Sequence, residues 1–175
     1  ESIKRMPSLF GEADLLRVIT SLPGIKTVGE ASTGFNVRGG SADQNLILFN
    51  DATIFNPSHF FGMFSAFNPE IVKEVELYKG SIPARFGGRL ASVLDISSRD
   101  GNSKNFTGSA GIGFITTRLN IEGPIAKDRT SFIFGGRTTY ANWLLGLLPN
   151  EYKNSRASFQ DVNLGITHRF DSTNN

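Results

Sequence analysis

The 175-residue sequence has no cysteine. Disulfides, thiolate catalysis and cysteine-ligated zinc are therefore excluded. No apolar run approaches the roughly 18 residues of a membrane helix, so any crossing of a bilayer has to be made by barrel strands. Histidine is scarce: His59 and His168 are far apart and have no carboxylates at ligand spacing. No metal site and no cofactor is expected. A Gly-x-Ser-x-Gly elbow is missing, and no glycine cluster is followed by the Lys-Ser/Thr of a phosphate loop. Gly108-Ser109-Ala110-Gly111-Ile112-Gly113 has the wrong spacing for a dinucleotide turn, and no helix pattern follows it. An enzyme is not expected. Charge of one sign is lacking too: the formal net charge is +2, too small to argue for nucleic acid. Residues 1–104 carry 11 basic and 11 acidic side chains, so the 7 against 5 after residue 104 supply the whole excess. No charged-then-apolar leader follows Glu1, so no signal peptide is expected in this stretch.

What is abundant is glycine, 19 residues, and phenylalanine, 15 residues. Many glycines with few helix-period runs argue for strands and turns. The chain is organised around residues 71–100. Val75-Glu76-Leu77-Tyr78 alternates apolar and polar residues and stops at Lys79-Gly80, which predicts a half-buried strand ending in a turn. Pro83, Phe86 and Gly87-Gly88 predict a tight connection, and residues 91–98 a second strand. Upstream, residues 12–20 carry Leu15, Leu16, Val18 and Ile19 at helical spacing before Pro23-Gly24, which predicts a short core-packing helix. A strand fragment and loop are expected from Lys26, a short strand over residues 35–38, and a turn at Gly39-Gly40-Ser41. Residues 45–49 predict a strand covered on both faces, with its turn at Asn50-Asp51. That turn has no glycine, so the left-handed position falls to Asn50 or Asp51. Six phenylalanines lie between residues 49 and 67 without a clean period. Either they form a wedge of core or they form an aromatic loop facing a ligand. Residues 69–73 predict a one-turn helix.

After residue 104 helix signals become scarce. One long extended candidate covers residues 106–123, a turn 124–128, and further extended candidates 130–140 and 161–170. In these, apolar residues such as Phe132 and Phe134, or Val162, Leu164 and Ile166, alternate with polar ones. The pattern fits a barrel wall between lipid and water, and it equally fits any exposed antiparallel sheet. Residues 143–148 read either as a patch at a membrane boundary or as a strand end with a short helix.

Several blocks carry a resemblance. Leu22-Pro23-Gly24-Ile25, Phe35-Asn36-Val37-Arg38-Gly39-Gly40 and Leu46-Ile47-Leu48-Phe49-Asn50-Asp51 stand in order before Glu74-Val75-Glu76-Leu77-Tyr78-Lys79-Gly80, Phe86-Gly87-Gly88 and Val93-Leu94-Asp95-Ile96. In this order they resemble the plug domain of TonB-dependent outer-membrane receptors. The wording of residues 56–69 and 86–96 is most similar to receptors of the Bacteroidetes type. The resemblance implies an α+β plug domain over residues 1–104, a small mixed sheet with short helices. Residues 105–175 then follow as antiparallel strands of an incomplete transmembrane β-barrel. Three strands cannot close a barrel, which needs about eight even in small cases. The rest of the barrel is therefore expected beyond Asn175.

The implied function is energised, gated uptake of a scarce ligand (siderophore, vitamin, glycan or peptide) across the bacterial outer membrane. The implied partners are the remainder of the chain's own barrel, a TonB-type periplasmic energiser and the ligand. The alternative is a structural or adhesive cell-surface β-protein without TonB coupling. The resemblance also implies that Arg38 and Lys79 lock the plug to carboxylates of the barrel wall, with Arg85 and Arg89 in a similar role. Gly39, Gly40, Gly80, Gly87 and Gly88 are the expected turn glycines. His59, Phe60, Phe61 and Phe64 are the expected ligand-facing residues. An isolated fragment is expected to self-associate through open strand edges.

Overall fold

The computed structural model describes residues 14–28, 34–59, 64–140 and 158–170. The chain forms two compact units that divide between Arg99 and Asp100.

The first unit begins with a helix, α1 (Leu15–Thr20). It starts where it does because the Asp14 carboxylate accepts the Arg17 amide at 3.1 Å, satisfying one of the orphan donors of the first turn. The helix is followed by the turn Leu22-Pro23-Gly24-Ile25. Proline is second and Gly24 third with φ +83°, and the Ile25 amide bonds back to the Leu22 carbonyl. That is the geometry of a type II turn, which needs a left-handed third residue. Strands β1 (Ile25–Thr27) and β2 (Phe35–Val37) pair antiparallel. A short 3-10 turn (Ala42–Gln44) leads to β3 (Asn45–Phe49) and its hairpin partner β4 (Ala52–Thr53).

The two residues between β3 and β4, Asn50 and Asp51, have φ of 49° and 64°. Both are left-handed, as a primed two-residue hairpin turn requires. The sequence assigned this conformation to one of them; it falls on both. The Asn50 side chain also bonds the amide and hydroxyl of Ser98 at 2.8 and 2.9 Å, tying the hairpin to the end of a neighbouring strand.

Two-residue strands β5 (Ser58–His59) and β6 (Phe64–Ser65) pair next, followed by β7 (Val72–Tyr78) and β8 (Ser92–Ser98). The main sheet has the order β4-β3-β8-β7. It is mixed, since β3 and β8 are parallel while the outer pairs are antiparallel. Neighbours Ile47 and Leu48 point to opposite faces and are both buried, as expected for β3. On one face α1 and the β1–β2 hairpin pack Leu15, Leu16, Ile19, Phe35 and Val37 against Ile47, Leu94 and Ile96.

Strand β7 starts earlier than residue 75, and the one-turn helix expected over residues 69–73 is instead a turn that runs into the strand. The Asn68 side chain closes this turn by accepting the Glu70 amide at 3.0 Å. A register shift between Val72 and Glu74 inserts one extra residue. The bulge turns Val72, rather than Lys73, to the same core as Val75 and Leu77.

The second unit is an antiparallel meander of β9 (Thr107–Ile112), β10 (Thr116–Ala126), β11 (Thr130–Thr139) and β12 (Gln160–His168). The single extended segment expected over residues 106–123 is in fact a hairpin. The turn at Gly113 breaks it, with the Gly113 amide bonded to the Thr116 carbonyl. The expected turn at 124–128 begins later. Pro124 still opposes Ser131, followed by a register irregularity, and Asp128 takes the left-handed position with φ +61°.

Candidate functional site

Three turns far apart in sequence meet at one corner of the first unit. At the end of β2 the Gly40 amide bonds to the Val37 carbonyl, and the residues between them, Arg38 and Gly39, have φ of 50° and 85°. A left-handed arginine costs about 1–2 kcal/mol, so the corner has to hold it. The hold is visible. The Arg38 amide donates to the Gly24 carbonyl at 3.2 Å, and the guanidinium lies against Gly80, where an added Cβ would come within 2.9 Å of its Nη1. Lys79, at the end of β7, donates from Nζ to the Pro23 carbonyl at 2.8 Å. A Cβ on Gly40 would sit 2.6 Å from that of Ala91. The two cations thus line one open groove of about 520 Å³, with Gln44, Ser81, Ile82 and Leu90 around them. Among the described residues neither forms an ion pair. The groove can take oxygen anions: a fork of guanidinium donors stands beside an ammonium.

Arg85 and Arg89 are placed elsewhere. Arg85 stacks over Phe86 at 4.5 Å and lies 3.6 Å from Asp95, on the polar face of β7 and β8. Tyr78, 5.4 Å from Phe86, donates to Glu76. That hydrogen bond, followed by partial burial and the charge of Glu76, raises the Tyr78 phenol above its ordinary pKa. Arg89 is exposed, bonds the Gly88 carbonyl at 3.1 Å and borders a different cavity. Gly87 and Gly88 lie in the exposed turn between the two arginines, Gly88 with φ +82°.

The expected ligand-facing set separates. Phe64 is only 5% exposed, because in β6 it packs inward opposite His59, and it is corrected to a core residue. Phe67 is buried as well and stacks at 5.9 Å on half-buried Phe49, while Phe55 is 85% exposed. The phenylalanine-rich stretch is thus core and surface at once. His59 is half-buried; Phe60 and Phe61 lie outside the described residues, as do residues 143–148. Sequence reasoning missed the clasp made by Asp14. Its Oδ1 caps α1 while its Oδ2 accepts the Ser65 amide at 2.7 Å, 51 residues away. An acidic residue ahead of a helix signals the cap; nothing local signals the second bond.

In the second unit the alternation is turned inside out. The register sets Ile121 opposite Phe134 and Leu119 opposite Gly136 on the same face, and Phe134, Phe132 and Gly136 opposite Leu164, Ile166 and Val162. Val162, Leu164 and Ile166 are 71%, 66% and 63% exposed. The opposite face holds Asn120, Ser131, Arg137 and Thr139, all buried, with Ile133 buried among them. Arg137 pairs there with Asp161 and lies over the Phe159 ring at 5.0 Å. Asn120 and Glu122 bond Ser109 and Thr107 across to β9.

The model of the TonB-dependent receptor plug domain family matches residues 4–93, over half of the sequence, and the chain belongs to that family. Among solved structures, the siderophore receptor PirA of Pseudomonas aeruginosa is similar over 97% of this chain and 30% of its own, with 19% identity and a TM-score of 0.62. A double mutant of the ferric enterobactin receptor PfeA from the same organism matches over 91% of this chain and 28% of its own, at 17% identity and a TM-score of 0.58. A PfeA single mutant in complex with enterobactin matches over 91% and 29%, at 17% identity and a TM-score of 0.57. At such identities the likeness is one of fold. The chain spans less than a third of those receptors. No curated protein matches its sequence.

Proposed function

We propose that this chain is the plug and the first barrel strands of a TonB-dependent outer-membrane receptor, which takes up a scarce ligand by energised gating. The observation that carries the reading is the inverted sheet of the second unit. A wall with apolar side chains facing outward and mostly polar side chains on its buried face is what a barrel strand between lipid and water requires. In this reading Arg38 and Lys79 hold the plug to carboxylates on the inner face of the completed barrel. A cation in that setting needs its partner, because a buried charge left alone costs several kcal/mol. The ligand class is an iron chelate, as in the receptors that share the fold, or a vitamin, glycan or peptide. The likeness to receptors of the Bacteroidetes type stays a resemblance of sequence. No observation favours the adhesive alternative.

The test uses the complete receptor in its native host. Ligand-dependent growth should be lost on deleting the receptor and equally on disabling the TonB-type energiser. Replacing Arg38 and Lys79 together with alanine should make the closed receptor leaky to antibiotics normally too large to enter. Growth indifferent to the energiser would abandon the uptake reading.

A further inference from the structure

The first unit has a second cavity, about 380 Å³, between the 3-10 turn, β3 and the segment after β4. Its wall is largely apolar, formed by Phe35, Leu46, Ile54, Phe55 and Pro57. Two side chains of opposite charge border it, Asp43 and Arg89. They do not bond each other. Asp43 accepts the Ser41 hydroxyl, and Arg89 bonds only the neighbouring Gly88 carbonyl among the described residues. A guanidinium has five donors, so most of Arg89's remain to be used. The Ser41 hydrogen bond, the residue's own amide and the attraction of Arg89 hold the Asp43 carboxyl below its usual range, so it is charged at neutral pH. Phe55 reaches this cavity with 85% of its surface in water. An aromatic ring left so wet gains by any apolar body laid against it.

We infer that this cavity binds an apolar zwitterion, a free aromatic or branched α-amino acid. Its carboxylate pairs with Arg89, its ammonium with Asp43, and its side chain lies among Leu46, Ile54, Phe55 and Pro57. A pocket of this size, with an apolar wall and a few convergent polar groups, has the form of a small-molecule site. The pair of charges selects the ligand further. A simple anion meets Asp43 and a simple cation meets Arg89, whereas a molecule carrying both charges pairs with the two without repulsion. The site does not depend on the uptake reading. Binding by the purified chain without uptake in cells would leave it standing, and uptake without binding would remove it alone.

The experiment follows the amide and methyl NMR signals of the full chain, held in amphipol, during titration with L-phenylalanine, N-acetyl-L-phenylalanine and L-phenylalaninamide. L-phenylalanine should shift Leu46, Ile54 and Phe55, and each blocked analogue should bind about two- to fivefold more weakly, the worth of one solvent-exposed charge pair. Asp43→Asn should erase the difference between L-phenylalanine and its N-acetyl form, and Arg89→Gln the difference from the amide. Both side chains are exposed, so neither change threatens the fold. Equal affinity for all three compounds, shifts confined to residues outside the cavity, or no shifts at all would overturn the inference.

Discussion

The two units use the same alphabet in opposite senses. In the first, Leu94 and Ile96 are fully buried on one of the two inner strands of a small sheet, and Glu74 and Glu76 on the neighbouring edge strand face water. In the second, Leu164 and Ile166 alternate just as regularly and are more than half exposed, while Arg137 and Asn120 are buried. Alternation tells which residues share a face; it does not tell which face meets water. In one unit apolar surface leaves water by packing on itself. In the other it remains exposed, which water penalises and lipid would favour.

The comparison can be broken most sharply by making one deletion in both units. Leu94→Ala should destabilise the first unit by about 2–5 kcal/mol, because a cavity opens among packed neighbours. Leu164→Ala, made in amphipol, should cost far less, since no packed cavity forms. Chemical denaturation of the chain, followed by site-specific NMR signals, reads both. Similar losses would mean the two sheets see the same surroundings. A charge tests the outward face directly: Leu164→Lys should weaken insertion into lipid vesicles by about 2–4 kcal/mol if the position lies near mid-membrane. Unchanged insertion would return the sheet to water. Asp14→Ala removes a helix cap and should cost about 0.5–2 kcal/mol, with the Arg17 and Ser65 amides both exchanging faster. Faster exchange at Arg17 alone would reduce Asp14 to a cap.

The smallest effect concerns Tyr78. Its phenol pKa is raised in the fold, so the hydrogen bond to Glu76 contributes fully below the ordinary tyrosine pKa and is lost as the pH rises through the raised one. Glu76→Gln should return the Tyr78 titration, read by NMR, towards the ordinary value. An unmoved titration would mean that Glu76 is not its cause.

Much of this was legible because it is local. The Pro-Gly pair at residues 23–24, the Asn-Asp hairpin turn and the period of α1 each announce their geometry within a few residues. The hairpin inside residues 106–123 was hidden because glycine is so common there that Gly113 does not stand out as a breaker. The phenylalanine stretch resisted reading for another reason. Phe55 and Phe64 are chemically identical, and only the strand pairing around them decides that one is wet and the other dry. The corner of Arg38, Lys79, Gly80 and Pro23 was half legible. Each turn could be read separately, but their convergence could not.

By itself, then, the sequence determined the absence of thiol chemistry, the turns, the alternating faces and the family to which the chain belongs. These depend on residue identity and on spacings shorter than a turn. Only the tertiary structure decided that Arg38 and Lys79 share a groove, that Arg89 belongs to a different cavity, and that Asp14 reaches Ser65. Each of these joins residues tens of positions apart; for the groove and for Arg89, the parallel pairing of β3 with β8 brings the turns that precede those strands to the same end of the sheet.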